Sequence, residues 1–145
     1  MAGRAERALA RDLADRTGAP VVTTAAAVAA ALLRHGRRVR VRTPYTADIT
    51  DAECAYLRGH GLGVSSAAGL EIIRDADIAA VPPDRVLQHA DGDDTADALL
   101  MSCTNLPTLS LLPELERRTG LPAVTSNTAT AEALLATLGG RGPGT

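Results

Sequence analysis

Ala98-Leu99-Leu100-Met101-Ser102-Cys103-Thr104-Asn105 runs from uninterrupted apolar residues straight into a hydroxyl, a thiol, a second hydroxyl and an amide. An apolar run of this length without alternation suits a strand buried on both faces, as in a parallel sheet covered by helices. In such sheets ligands collect beyond the carboxyl ends of the strands. The same stretch therefore predicts both a fold and a candidate site. Downstream, the pattern predicts a helix over 108–118, a strand over 122–125 and a helix over 128–138. Upstream it predicts helices over 3–16 and 25–35, ended by Gly18 and Gly36. Pro20 to Thr24 reads as a short buried strand between them. Arg38 to Thr43 alternates Arg and Val with strand periodicity, and Pro44 ends it. A helix capped by Thr46 or Asp48 then runs to Arg58, a strand covers 62–67, and Pro82-Pro83 opens a helix to about His89. Strands alternate with helices, which predicts an α/β fold with a four-stranded parallel sheet and flanking helices.

The totals narrow the function classes. The 145 residues carry a net charge of −2, with 46% hydrophobic and 22% charged residues, so the chain is globular. Two tyrosines, Tyr45 and Tyr56, are its only aromatics, and every cation is an arginine. Without a basic excess or stacking residues, nucleic acid is not an expected partner. The absence of lysine excludes a Schiff-base lysine and a P-loop lysine. No apolar run is long enough to span a membrane, and the charged first residues lack the apolar core of a signal peptide. The expected location is the cytoplasm, with Cys54 and Cys103 as free thiols.

The chain also repeats itself. Thr17-Gly18-Ala19-Pro20-Val21-Val22-Thr23 resembles Thr119-Gly120-Leu121-Pro122-Ala123-Val124-Thr125, and the same offset pairs Leu13 with Leu115 and Arg16 with Arg118. This predicts two related α/β units. The first-copy counterpart of the Cys103 loop would fall at or before Met1, so the first lobe is expected to be largely missing. The expected division is a first-lobe remnant with an inter-lobe helix over 1–36, a second lobe over 37–127, and a return helix with a disordered tail over 128–145.

Cys103 is the leading site candidate: it follows a buried strand, and a helix N-terminus after it would favour a thiolate and offer N–H groups to an anion. A buried inert thiol is the competing reading. Cys54, in the middle of a helix, reads as a packing residue. Tyr45 ends another strand and can aim its hydroxyl at a carboxylate, or be a hinge tyrosine. Ser126 and Asn127 follow the last strand, either facing a ligand or capping the final helix. Asp75 and Asp77 read as turn caps more readily than as ligands of a substrate. Gly59-His60-Gly61-Leu62-Gly63 closes a helix rather than opening one, which argues against a dinucleotide loop. His35, His60 and His89 lack metal-ligand spacing.

Ser102-Cys103-Thr104-Asn105-Leu106, Leu115-Glu116, Gly120-Leu121-Pro122 and Val124-Thr125-Ser126-Asn127 together resemble the second half of maleate cis-trans isomerases. They are also similar to arylmalonate decarboxylases and the wider aspartate/glutamate racemase superfamily. Thr43-Pro44-Tyr45 resembles a strand end of that family, and Val22-Thr23-Thr24-Ala25 its inter-lobe crossing. The resemblance implies an aspartate/glutamate racemase-like fold of two similar α/β lobes, with a cofactor-independent site between them. It implies that Cys103 is the second-lobe catalytic cysteine and that Tyr45 binds substrate. Thr104, Asn105, Ser126 and Asn127 would line a carboxylate site. The first-lobe cysteine has no counterpart here. Asp75 stands where isomerases would carry an Asn, and Thr128-Ala129-Thr130 where they would carry Gln and Trp. The Ser-Cys-Thr-Asn string favours the isomerase branch over decarboxylases, in which Ser-Cys-Gly-Gly is expected. The implied activity is isomerisation of a small dicarboxylate by cysteine chemistry. The alternatives are an arylmalonate decarboxylase-like enzyme and an inactive fragment. The latter would act by association through an exposed lobe face or as a homo-oligomer.

Overall fold

A computed structural model describes residues 2–139; the tail expected over 141–145 lies outside the described residues. Four parallel strands form one sheet in the order β2-β1-β3-β4: β1 is Arg38–Thr43, β2 Gly63–Gly69, β3 Ala98–Met101 and β4 Ala123–Thr125. β3 is buried throughout, as its apolar run predicts. Its Ala98 and Leu100 face one layer, while Leu99 and Met101 face the other.

The first layer contains α2 (Thr24–Leu33), α3 (Ala47–Gly59) and α7 (Ser126–Gly139). Ala27, Val28, Leu32, Cys54, Leu57 and Ala129 there pack on Val39, Val41, Leu100 and Val124. Cys54 is buried among them, as its position in the helix predicts. The second layer contains α4 (Asp75–Ala79), α5 (Pro83–His89) and α6 (Leu112–Thr119). Ile78, Val86, Leu106 and Leu115 cover Leu99 and Met101. The short α4 has no counterpart in the sequence reading. Its five residues are too few to show a helical period.

Arg38 opens β1 in solvent, but the next two arginines of the strand are not on a solvated face. Arg40 and Arg42 are 4% and 5% exposed, closed over by the turn that joins α5 to β3. Arg40 donates to Asp94 Oδ1 at 2.8 Å and to the carbonyls of Ala90 and Asp94. Arg42 donates to the carbonyls of His89 and Asp91 and to Ser66 Oγ. Asp94 also accepts from Ser65 and Ser66 on β2. The cluster thus ties two strands to the turn, and every charge in it is hydrogen-bonded.

Pro20 to Thr24 is not a strand. Among the described residues no neighbour pairs with it, and an extended segment without a partner is not a sheet element. Thr23 is extended, and its Oγ1 accepts the Ala26 N–H at the start of α2. The repeat nevertheless appears in local geometry. Thr17 Oγ1 donates to Leu13 O at 2.7 Å at the end of α1 (Ala2–Thr17), and Thr119 Oγ1 donates to Leu115 O at 2.7 Å at the end of α6. Gly18 and Gly120 follow at φ +66° and +69°, a conformation glycine adopts without penalty. Thr125 Oγ1 accepts the Thr128 N–H as Thr23 accepts that of Ala26. The two helices that follow, α2 and α7, are linked by a hydrogen bond from Thr130 to Thr24. Leu9 and Leu13 on α1 and Leu134, Leu135 and Leu138 on α7 are exposed.

Burial alone would raise the Asp94 carboxyl, but Ser65, Ser66 and Arg40 bring it down to about 2. A depressed carboxyl contributes stability that is complete above its ordinary value of 3.8 and is lost as pH falls through about 2. Asp94→Asn leaves Arg40 buried without a counter-charge. It is expected to cost about 3 kcal/mol in urea unfolding at neutral pH, and the deficit should shrink toward pH 2.

Candidate active site

Sheet register sets the site. Arg42 lies beside Met101 and Met101 beside Thr125, so β1, β3 and β4 end at one level. Thr43-Pro44-Tyr45, Ser102-Cys103 and Ser126-Asn127 leave the sheet together there. Tyr45 is fixed by its backbone: its N–H donates to Thr43 Oγ1 and its carbonyl accepts from Glu71 N–H. Gly69, paired with Thr43, is needed for this approach, since a Cβ there would collide with the Tyr45 carbonyl.

Cys103 is 8% exposed and adopts φ +96°, a conformation that side-chain-bearing residues rarely take. Such strain persists only where surrounding bonds hold it, and it gathers at functional sites. Three bonds are visible, one of them from the Leu106 N–H to the Cys103 carbonyl at 3.4 Å. The Cys103 N–H donates to Ser126 Oγ at 3.0 Å, and the Asn105 N–H points at Cys103 Sγ at 3.4 Å.

The helix expected directly after this loop does not start there. A 3-10 turn covers Leu109–Leu111 and α6 begins only at Leu112, because Pro107 and the local turns intervene. The helix end next to Cys103 is instead that of α7, which begins at Ser126 rather than at residue 128. Ser126 and Asn127 are not its caps either. Thr125 takes that role, which frees Ser126 to hold the Cys103 backbone and Asn127 to donate to the Thr104 carbonyl at 3.0 Å. Asn105 donates its side-chain amide to the Asp75 carbonyl at 2.7 Å. Asp77 pairs with Arg74 on the surface.

A cavity of about 330 Å³ lies at these strand ends, lined by Thr24, Ala25, Val28, Tyr45, Glu53, Tyr56, Leu57, Ser102, Thr104 and Ser126. An adjoining depression is lined by Thr104, Asn105, Thr108 and Asn127 among others, and Thr108 Oγ1 is buried there without a hydrogen-bond partner. The structure thus brings Cys103, Tyr45, Thr104, Asn105, Ser126 and Asn127 to one end of the sheet. Thr104 lines both hollows. Another hollow, between α1 and α3, holds none of these six residues.

Glu53 is the cavity residue that sequence reasoning missed. Its Oε1 accepts from Ser102 Oγ at 2.6 Å. Burial pushes its carboxyl above the ordinary range, against the opposing effect of the Ser102 bond. Burial, and next the hydrogen bond and charge of Cys103, push the Tyr45 phenol up. The available signal was helical spacing: position 53 falls three after Thr50 and four before Leu57, both buried. Among the described residues no three His, Cys, Asp or Glu side chains converge as metal ligands would, and no helix is long and apolar enough to cross a membrane.

The arylmalonate decarboxylase family model matches residues 3–143, and the chain belongs to that family. It is 31% identical to the maleate isomerase of Nocardia farcinica over 140 residues, 93% of this chain and 56% of that protein. It is 34% identical to the arylmalonate decarboxylase of Bordetella bronchiseptica over 128 residues, 84% of this chain and 53% of that protein. The chain thus spans about half the length of these curated relatives. One similar solved structure is a cysteine-to-serine mutant of the Nocardia farcinica maleate cis-trans isomerase with a covalently bound succinylcysteine intermediate. The TM-score is 0.85 at 30% identity, covering 94% of this chain and 58% of that one.

Glycine relieves the positive φ at position 103 and alanine does not. Cys103→Gly is expected to be more stable than Cys103→Ala by about 1 kcal/mol in urea unfolding. Equal stabilities would show that the loop carries no strain. Ser126→Ala leaves the buried Cys103 N–H without its acceptor and is expected to cost about 2 kcal/mol in the same measurement.

Proposed function

We propose that this chain carries the second-lobe half of a cofactor-independent isomerase of small dicarboxylates, with Cys103 as the reacting thiol. The supporting observation is the Cys103 backbone, held at φ +96° with the Asn105 N–H on Sγ, in a chain of this family. A maleate-like substrate fits this chemistry. The Cys103 thiolate adds to one alkene carbon, and the π pair moves onto the neighbouring carbon and its carboxylate. The remaining single bond rotates. Elimination re-forms the double bond in the trans arrangement and returns the pair to sulfur, so no atom is gained or lost. Tyr45 and Thr104 supply hydroxyls for the substrate carboxylates. The Asn105 and Asn127 amides each keep one further N–H beyond those given to Asp75 and Thr104, and Ser126 holds the Cys103 backbone in place.

The 34% identity to the Bordetella bronchiseptica protein favours a second reading, an arylmalonate decarboxylase-like activity. There one thiol protonates the enediolate left after carbon dioxide departs, so Cys103 is the one thiol needed, with the walls of the first lobe around it. In either reading the exposed leucines of α1 and those of α7 are surfaces for association with a second lobe or a second copy, inside the cell.

The test is incubation with maleate followed by mass spectrometry of peptides. The expected result is a mass increase of one maleic acid on Cys103, absent from Cys103→Ala, with fumarate released into solution. Carbon dioxide release from phenylmalonate without any maleate adduct would favour the decarboxylase reading. Neither reaction in a folded chain joined to a first lobe of this family would overturn both and leave association as its role.

A further inference from the structure

Four polar side chains gather at the strand ends: Glu53 on α3, Ser102 after β3, Tyr45 after β1, and Cys103, next to Ser102 in the chain. Ser102 donates its only hydroxyl proton to Glu53 Oε1 at 2.6 Å. Tyr45 lines the same cavity as Glu53 and Ser102, and its phenol is influenced by the Ser102 hydroxyl and the Cys103 thiol. No arginine forms an ion pair with Glu53 among the described residues. Groups around it are accounted for from each element. α2 contributes Thr24 and Val28, and α7 contributes Ser126, all uncharged. α3 itself adds Tyr56, whose hydroxyl donates to Glu6 on α1, and carries Asp51, Cys54 and Arg58 as its other titratable groups near position 53. Tyr45 and Cys103 complete the set. An acid that lines a cavity without a cation and holds a serine beside a reactive cysteine is an unusual expense for packing alone.

We propose that Glu53 is a positioning residue that governs the reactivity of Cys103 through the Ser102 hydroxyl and the Tyr45 phenol. The direction of the hydrogen bonds carries the effect. With Glu53 ionised, the Ser102 proton is committed to the carboxylate, and Ser102 Oγ competes with Cys103 Sγ for the single Tyr45 proton. The carboxylate charge also opposes a nearby thiolate. With Glu53 protonated, donors run one way, from Glu53 to Ser102, from Ser102 to Tyr45 and from Tyr45 to Sγ, and the thiolate gains a hydrogen bond. Glu53 would thereby restrain the thiol while ionised and release it when neutralised. This rests on the reading of Cys103 as the reacting thiol, and its test separates the two.

The test measures carboxamidomethylation of the Cys54→Ala chain by iodoacetamide as a function of pH. In that reaction thiolate sulfur bonds to the methylene carbon as iodide leaves with the carbon–iodine pair, so the rate reports Cys103 alone. Glu53→Gln keeps the size and supplies an amide donor in place of the carboxyl. It is expected to label at least about threefold faster at neutral pH. Its pH profile should reduce to a single titration, where the unsubstituted Glu53 adds a second inflection. In a Ser102→Ala background the acceleration by Glu53→Gln should shrink, because the path to Tyr45 is cut. Thermal melts confirm that each variant is folded. A Glu53→Gln profile that superimposes on the parent, or labels more slowly, overturns the role of Glu53 and leaves the Cys103 reading standing. An undiminished effect in Ser102→Ala overturns the path through the serine. A Cys103 that labels in no variant at any pH overturns the reading of that thiol itself, and this proposal with it.

Discussion

The buried Arg40–Asp94 pair is the constraint on which the arrangement depends. Its two strands, β1 and β2, would otherwise present guanidinium and hydroxyl groups to an apolar layer. Asp94 accepts from all three side chains at once and brings the turn before β3 down onto the sheet. A buried charge that loses its partner is costly, so the turn, the two strands and the start of β3 hold one another in register. β3 then sits between β1 and β4 with both faces covered, and its end delivers Cys103 to a fixed place.

The site inherits that fixity and adds strain. Cys103 occupies a backbone region suited to glycine, yet carries a side chain and is nearly buried. Ser126 secures its N–H, and Asn127 secures the carbonyl of Thr104 next to it. The first turn of α7 therefore serves as a clamp for the β3 loop. Tyr45 is delivered by a separate route, through β1, Thr43 and the close approach of Gly69. Residues from three strand ends are thus held by backbone bonds, which leaves several polar side-chain groups available to a ligand. Glu53 enters from a helix and lines the cavity, while Asn105 lines the adjoining depression.

Much of the fold was legible because strands and helices leave different periods. β1, β3, β4 and most helices fall where the apolar spacing places them. The exceptions have physical causes. Val21 and Val22 have strand chemistry but no strand beside them, and pairing is a tertiary matter. The alternation of Arg38 to Thr43 marks a strand correctly but does not show that Arg40 and Arg42 are buried. Their partners lie about fifty residues away, in and before a turn that reads only as polar. At the site, Cys103 and Tyr45 stood out as residues following strands. Glu53 did not, because an acidic residue on an amphipathic helix is ordinarily solvated.

The sequence by itself determined the order of elements, the parallel sheet and the family, because these follow from local periodicity, capping residues and a handful of strand-end motifs. It also determined the repeat, whose two glycines adopt nearly the same φ and whose two threonines cap alike. Only the tertiary structure decided which hydroxyl does what. Ser126 and Asn127 look like helix caps until Thr125 is seen to hold that position, and the Asn105 amide has no fixed direction until one of its N–H groups meets the Asp75 carbonyl. Those choices depend on distances between residues far apart in the chain, set by sheet register and by how the layers close over buried charge. No local pattern encodes them.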